Sequence, residues 1–228
     1  MGAKFEIGRI AGLPIFIDVS FIVLIVLWGG QYFTSGSTVL MSMGFLLVIG
    51  LALSILIHEL AHAITGHYLG VAPSHIELNG FGGLCYWAGP MRREAWRRIA
   101  ISLVGPLANF ALYYLFLEIS ELSVVQSNRF VFQVTAYLAI ANWYMGLFNL
   151  FPAFPLDGGK ALEALLGTVL AASMSRLIVG VLGLCAAAYL GYLGIMGNTW
   201  MLVIAVMLGL ANYDAVQDAR RPPSQRWN

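Results

Sequence analysis

The stretch Leu53–Ala63 places three ionisable side chains, His58, Glu59 and His62, inside an apolar run that otherwise predicts a membrane-spanning helix. Each would cost about a few kcal/mol at membrane depth if it were left uncompensated. Residues four apart on an α-helix are separated by about 40° around its axis, so the two histidines can bind one ion. Glu59 is placed to hold an attacking water and accept its proton. The pattern predicts a zinc site, and the alternative is a histidine pair satisfied by neighbouring helices.

The composition supports a membrane location for this stretch. Hydrophobic residues make up 60% of the 228 residues and charged residues only 10%, against about a quarter charged in a soluble domain. Several apolar stretches approach the roughly 20 residues of helix that cross a hydrocarbon core. We therefore expect an integral membrane protein whose partner is the lipid bilayer, with a single domain over residues 1–228. The chain has no basic stripe that would indicate nucleic acid.

The apolar stretches predict an all-α polytopic fold with six transmembrane helices. Their expected bounds are about Val19–Phe33, Val39–Leu69, Ile99–Glu118, Phe130–Leu150, Leu177–Ile195 and Thr199–Tyr213. Alternating apolar and polar residues predict short strands at the amino terminus, over Lys4–Asp18. A second strand pair, a hairpin with a glycine-rich bend, is expected over residues 76–87, between the second and third helices.

The basic residues predict the orientation of these helices. With six spans, one side of the membrane receives Lys4, Arg9, Arg92, Arg93, Arg97, Arg98, Lys160, Arg176, Arg220, Arg221 and Arg226. Only Arg129 falls on the other side, so the positive-inside rule predicts that both termini are cytoplasmic. The second helix then runs toward the cytoplasm. His62 would lie on the order of 10 to 15 Å inside the cytoplasmic face.

A catalytic zinc usually has three protein ligands, and the sequence offers few candidates for the third. His67 is rotated about 140° from His62 on the helix, and three further acids, Asp18, Glu77 and Glu94, are expected in surface segments. Asp157 is the best candidate, because it lies on the cytoplasmic side in a proline- and glycine-rich stretch that breaks the helix. Such backbone is tolerated at membrane depth only against protein or a wet cavity. A compatible alternative is that Asp157 caps the helix that follows.

Three motifs occur in order along the chain. They are His58-Glu59-Leu60-Ala61-His62, Gly105-Pro106-Leu107-Ala108-Asn109, and Asn149-Leu150-Phe151-Pro152 leading into Leu156-Asp157-Gly158-Gly159. Together they resemble the site-2 protease family of intramembrane zinc metalloproteases. The resemblance extends from the amino-terminal strands to the sixth helix.

The resemblance implies roles for individual residues. His58, His62 and Asp157 would bind one zinc ion, Glu59 would be the base, and Asn149 would lie near the scissile carbonyl. Asn149 can donate a hydrogen bond to a developing oxyanion, although an interhelical contact or a helix cap is an alternative. Two further asparagines of the apolar helices, Asn109 and Asn142, are assigned to helix packing and structure.

The resemblance also implies a biological setting. We expect regulated intramembrane proteolysis in the plasma membrane of a prokaryote, with the active site toward the cytoplasm and no PDZ or CBS domain. The substrates would be membrane-anchored proteins such as anti-sigma factors or transcription-factor precursors. A helical substrate must unwind before cleavage, and the 76–87 hairpin offers an edge for the unwound strand. The alternative for the hairpin is a surface flap without a substrate role.

Three other functions fit parts of the sequence less well. A membrane di-iron oxidase needs more histidines than the four present. A prenyl-protein-processing peptidase shares the His-Glu-x-x-His pattern but is expected to use a later glutamate as third ligand, with Glu163 as the nearest candidate after Asp157. A metal transporter would use the histidines as a transit site and would not need Glu59.

Overall fold

The computed structural model describes residues 3–80, 82–89 and 94–221. Residue 81 of the predicted hairpin and three of the basic residues, Arg92, Arg93 and Arg226, lie outside these ranges. The described residues form eight helices. These are α1 (Val19–Phe33), α2 (Thr38–Tyr68), α3 (Ala95–Glu121), α4 (Ser123–Gln126), α5 (Arg129–Asn149), α6 (Asp157–Leu166), α7 (Ala172–Ile195) and α8 (Thr199–Arg220).

Five helices of the described chain are long and apolar enough to cross a membrane, namely α2, α3, α5, α7 and α8. The sequence predicted six spans. The difference is α1, which has the predicted bounds but only 15 residues. At 1.5 Å per residue it is about 22 Å long, shorter than the roughly 30 Å of a bilayer core. The chain is an integral membrane protein, and α1 is shorter than the helices that usually cross a membrane.

Helix α2, which carries the histidines, has 31 residues and defined ends. At its start the side chain of Ser37 accepts a hydrogen bond from the N–H of Leu40. At its end Gly70 has φ of +80°, a left-handed conformation that glycine adopts without strain and that terminates helices. The two ends leave His58 and His62 in the carboxyl-terminal half of α2, within the regular part of the helix.

The described strands form one four-stranded sheet, in the order β1 (Lys4–Ile10), β2 (Leu13–Asp18), β3 (Pro73–Asn79) and β4 (Gly82–Trp87). The outer pairs are antiparallel, whereas β2 and β3 are parallel, with Ile15 opposite Ile76 and Ile17 opposite Leu78. The two strand segments therefore join into a single sheet, which the sequence did not predict. Strand β4 is one of its two edges.

Two acids expected at the surface are instead buried. Asp18 caps α1 by accepting hydrogen bonds from the N–H and hydroxyl of Ser20, which hold the pKa of Asp18 below its usual range. Glu77 is buried in β3 and pairs with Lys4, and this hydrogen bond raises the pKa of the lysine. Because both carboxylates bind structural partners, neither is a candidate for the third zinc ligand.

The chain divides into two compact units. The first unit comprises residues 1–91 and 104–147. Its core has one cluster where the sheet packs on α1 and α2, built from Phe21, Ala63, Ile76 and Leu78. A second cluster joins α2 to α5 through Met43, Leu47, Val134 and Leu138.

The second unit comprises residues 92–103 and 148–228. Helices α7 and α8 pack against each other along their length. The segment between α5 and α6 contributes Ala153 and Leu156 to a core with Ala187 of α7 and Leu208 of α8. Through these two residues the irregular segment packs against helices of its own unit.

Candidate metal centre

The predicted ligands His58 and His62 lie side by side on α2, in the first unit. Their Nε2 atoms are 3.1 Å apart and their rings meet edge to face. Tetrahedral zinc with nitrogen ligands at 2.0 to 2.1 Å separates those nitrogens by about 3.3 Å. Both rings are about 95% buried, as is Glu59 between them in sequence. The histidine pair has the spacing and the burial that one shared zinc ion requires.

A buried asparagine orients His58. The Nδ1 atom of His58 lies 2.6 Å from Oδ1 of Asn109 on α3. An amide oxygen can only accept a hydrogen bond, so Nδ1 carries the proton and Nε2 presents its lone pair. Metal-binding histidines are commonly oriented in this way by a partner on the other ring nitrogen. Asn109 is thus a positioning residue for His58, in addition to the packing role that the sequence predicted.

The hydrogen bonds continue from Asn109 through two more buried side chains. Asn109 donates to Asn142 Oδ1 at 3.0 Å, and Asn142 donates to Ser54 Oγ at 3.0 Å. Ser54 donates to the carbonyl of Gly50 at 2.9 Å. We call the side chains of Asn109, Asn142 and Ser54 the amide relay. Each group donates in the same direction, away from the histidine, so the bonds polarise one another.

The sequence contained a signal for this relay that the prediction did not use. Polar side chains inside membrane helices are expensive and usually have a function. Asn109 and Asn142 lie in apolar helices and are completely buried. The same rule that singled out the histidines therefore predicts a function for these two asparagines as well.

Gly105 of α3 provides the space beside the histidine nitrogens. A Cβ atom at this position would lie 2.6 Å from Nε2 of His58 and 2.6 Å from Cε1 of His62. Real Cβ atoms almost never come within 3.0 Å of another heavy atom. The absence of a side chain therefore keeps open the place where the two lone pairs converge. The donor atoms and this open space fit a zinc ion.

Glu59 is covered by strand β4. A Cβ atom on Gly83 would lie 2.7 Å from Oε1 of Glu59 and 2.9 Å from its Cδ. The main chain of the sheet edge thus lies directly against the carboxylate. Gly66, one turn after His62, similarly leaves room for the ring of Trp87 at the end of β4.

The second unit carries the other two predicted site residues, Asn149 and Asp157. Asn149 is the last residue of α5 and is half-buried. Asp157 is 97% buried in the first turn of α6. Lys160 donates to its Oδ1 at 2.9 Å. The predicted capping role of Asp157 is wrong, because Leu156 occupies the N-cap position and makes no side-chain cap bond.

Two glycines set the position of Asp157 within its unit. A Cβ atom on Gly158 would lie 2.7 Å from the carbonyl oxygen of Phe151, and one on Gly159 would lie 2.5 Å from that of Ala153. The first turn of α6 is therefore in direct contact with the main chain of the preceding segment. This contact explains why two glycines follow the aspartate.

The competing ligand Glu163 is engaged in ion pairs. Its carboxylate accepts a hydrogen bond from Arg98 at 3.0 Å and lies 3.5 Å from Arg176. Asp218 of α8 also pairs with Arg176, at 3.7 Å. Two arginines already neutralise Glu163, which argues against a ligand role for it.

The substitution Gly105→Ala tests the metal centre without altering a ligand. We expect zinc affinity to fall by about tenfold or more, the scale of changes next to ligands, because the new methyl group displaces the imidazole rings. Because Pro106 follows Gly105 and disfavours a helical alanine before it, the helix content of the variant is compared with that of the unaltered protein by circular dichroism. Zinc affinity is measured in detergent by competition with a chelator. Gly209→Ala is the matched control, since its Cβ meets only Ala187 at 3.8 Å. Unchanged affinity in Gly105→Ala would contradict the assignment.

Comparisons with known proteins identify the family of this chain. The family model of peptidase family M50 matches residues 46–131 and 117–190. Zinc metalloprotease MJ0392 of Methanocaldococcus jannaschii is 28% identical over 221 residues, covering 97% of this chain and 62% of that protein. Putative zinc metalloprotease Rip3 of Mycobacterium tuberculosis is 30% identical over 220 residues, covering 87% of this chain and 55% of that protein. The chain thus spans about 55 to 62% of the length of these relatives.

The fold also has a solved counterpart. The site-2 protease from Methanocaldococcus jannaschii superposes with a TM-score of 0.70 over 94% of this chain and 95% of that chain, at 24% identity. The family match covers more than half of the sequence, including the histidine pair, Glu59 and Asp157. The chain belongs to peptidase family M50, the family of the site-2 proteases.

Proposed function

We propose that this protein is an intramembrane zinc endopeptidase, which hydrolyses peptide bonds of membrane-embedded protein substrates. The observation that carries the proposal is the buried His58–Glu59–His62 group on a helix long enough to cross a membrane. The zinc metalloproteases among the relatives support zinc as the metal. A soluble protease could not reach a peptide bond within the hydrocarbon core. A metal centre on a membrane-spanning α2 would lie inside that core.

We assign the zinc ligands to His58, His62 and Asp157. Each offers one ligand atom and each is more than nine-tenths buried. Imidazole nitrogen with one carboxylate is a donor set typical of catalytic zinc. Lys160 occupies Oδ1 of Asp157, and a carboxylate has a second oxygen for the metal. Asp157 is favoured over Glu163, whose carboxylate is held by two arginines.

In the proposed mechanism Glu59 is the general base. Zinc supplies a Lewis acid that activates water and polarises a carbonyl. The carboxylate of Glu59 accepts the proton of the attacking water and delivers it to the departing amine. The amide of Asn149 donates a hydrogen bond to the developing oxyanion. The amide relay keeps the proton of His58 on Nδ1, so that Nε2 stays available to the metal.

The substitution Glu59→Gln tests this mechanism. We expect zinc content to be unchanged and cleavage of a model membrane substrate to fall by about 10² to 10⁴-fold, the usual contribution of a general base. Glu118→Gln, an exposed glutamate on α3, is the matched control and should cleave normally. Cleavage at the normal rate by zinc-loaded Glu59→Gln would contradict the protease mechanism. Zinc flux into liposomes that does not need Glu59 would instead favour a transporter.

We further propose that an unwound substrate pairs with the edge strand β4. Gly83 of this strand lies against Glu59, so a strand added at this edge would pass close to the base. Backbone pairing at a sheet edge would hold a substrate in the extended form that hydrolysis requires. The alternative, a flap without substrate contact, predicts no ordered pairing.

Cross-linking through Cys85 of β4 tests the pairing. The zinc-retaining Glu59→Gln variant is mixed, in the presence of a mild thiol oxidant, with model substrates that carry one cysteine near the scissile bond. Because successive side chains of a strand alternate in direction, disulfide yield should alternate as the substrate cysteine is moved one residue at a time. Cys85→Ser should abolish the product, and Cys185→Ser, on α7, should not. A low disulfide yield that does not vary with the position of the substrate cysteine would contradict the pairing proposal.

We propose six membrane spans, with α1 as the short first one, and cytoplasmic termini. The asymmetry of the basic residues supports this topology, which brings the centre toward the cytoplasmic side of a prokaryotic plasma membrane. Membrane-anchored regulators are the proposed substrate class. A green fluorescent protein fused to the carboxyl terminus should fluoresce, while alkaline phosphatase fused there should be inactive. The reverse result would contradict the topology.

A further inference from the structure

We propose that Asn212, in the last helix, is a positioning residue for the zinc ligand Asp157. It would act by holding the main chain of Phe154, in the segment that precedes the ligand. The proposal rests on the assignment of Asp157 under the proposed function. All the contacts that carry it lie within the second unit.

Asn212 holds both main-chain groups of Phe154. Its Oδ1 accepts a hydrogen bond from the N–H of Phe154 at 3.0 Å, and its Nδ2 donates to the carbonyl of Phe154 at 2.7 Å. The second proton of Nδ2 goes to the carbonyl of Leu208 at 2.8 Å. Asn212 is completely buried, and the residues around Phe154 belong to no helix or strand. In an apolar surrounding these peptide groups would otherwise be left without hydrogen-bond partners, which is energetically costly.

Contacts lead directly from Phe154 to the turn that carries Asp157. A Cβ atom on Gly159 would lie 3.0 Å from the nitrogen of Phe154 and 2.5 Å from the carbonyl oxygen of Ala153. The N–H of Leu156 donates to that same carbonyl at 3.0 Å. Since the first turn of α6 rests on this main chain, a shift of Phe154 shifts Asp157.

Helix α7 is shaped to admit the asparagine. A Cβ atom on Gly183 would lie 2.5 Å from Nδ2 of Asn212 and still closer to its Cγ and Oδ1. Farther along α7, a Cβ on Gly191 would meet only Ala205, at 3.7 Å. The guanidinium of Arg176, also on α7, lies 5.5 Å from the ring centre of Phe154. Phe154 is thus held by its main chain from α8 and by its ring from α7.

A packing role alone would make a different demand on these residues. Helix packing depends on the size of side chains. If Asn212 only filled space between helices, an apolar side chain of similar size could take its place without loss. The three hydrogen bonds have no such substitute, because leucine can neither donate nor accept. Asn212→Leu therefore separates positioning from packing.

The test measures zinc affinity by chelator competition for four forms of the full chain: unaltered, Asn212→Leu, Asp157→Ala, and the double variant. We expect Asn212→Leu alone to lower the affinity by about tenfold or more. In the double variant Asn212→Leu should have no further effect, because it acts through Asp157. The visible spectrum of Co²⁺-loaded Asn212→Leu should move toward that of Co²⁺-loaded Asp157→Ala.

Gly183→Ala is the second probe, used also if Asn212→Leu does not fold. It should lower zinc affinity as Asn212→Leu does, whereas Gly191→Ala on the same helix should leave it unchanged. Normal affinity in both Asn212→Leu and Gly183→Ala would overturn the proposal. An equal loss with and without Asp157 would overturn it too, since Asn212 would then act on the fold in general. If Asp157→Ala itself binds zinc normally, the ligand assignment fails and the positioning role fails with it.

Discussion

Hydrocarbon offers no hydrogen bonds, so each polar group that this chain carries into its apolar helices must find its partner within the protein. The metal-centre region of the first unit meets this constraint with neutral side chains. Asn109, Asn142 and Ser54 bond to one another and to His58. In the second unit Asn212 serves an irregular segment in the same way. Most of the fully buried polar side chains therefore belong either to the proposed centre or to the supports around it.

Glycine contributes the close approaches that these hydrogen bonds need. Gly105 leaves space at the histidine nitrogens, Gly83 brings the sheet edge onto Glu59, and Gly183 admits Asn212. Each is a position where one additional carbon would collide with a functional group. The polar network and the small residues are thus two parts of one arrangement, because a long side chain at any of these places would separate the bonded groups.

Local patterns made much of the architecture predictable. The helices could be found from apolar run length, and the histidine pair from its four-residue spacing, because both depend on residues that are near in sequence. Contacts between distant residues could not be found in this way. His58 and Asn109 are 51 residues apart, and Asn212 and Phe154 are 58 apart. Glu77 was misassigned to the surface for the same reason, since its partner Lys4 is 73 residues away.

Local patterns predict where a helix forms better than they predict whether it spans the membrane. Residues 19–33 are apolar and form a helix with the predicted bounds, but its 15 residues are fewer than the roughly 20 that cross a bilayer core. Asp18 begins α1, and Thr34 ends it by donating its N–H to the carbonyl of Gly30 at 3.0 Å.

The amide relay has a fixed sense of direction. It ends on the carbonyl of Gly50, which can only accept, so Ser54 must donate to it and every earlier group must donate in turn. Gly50 and His58 both belong to α2. The relay therefore leaves α2 at the histidine, crosses α3 and α5, and returns to α2 two turns upstream. A peptide group of the helix backbone thus dictates the tautomer of a side chain eight residues away on the same helix, and it does so without any charged residue taking part.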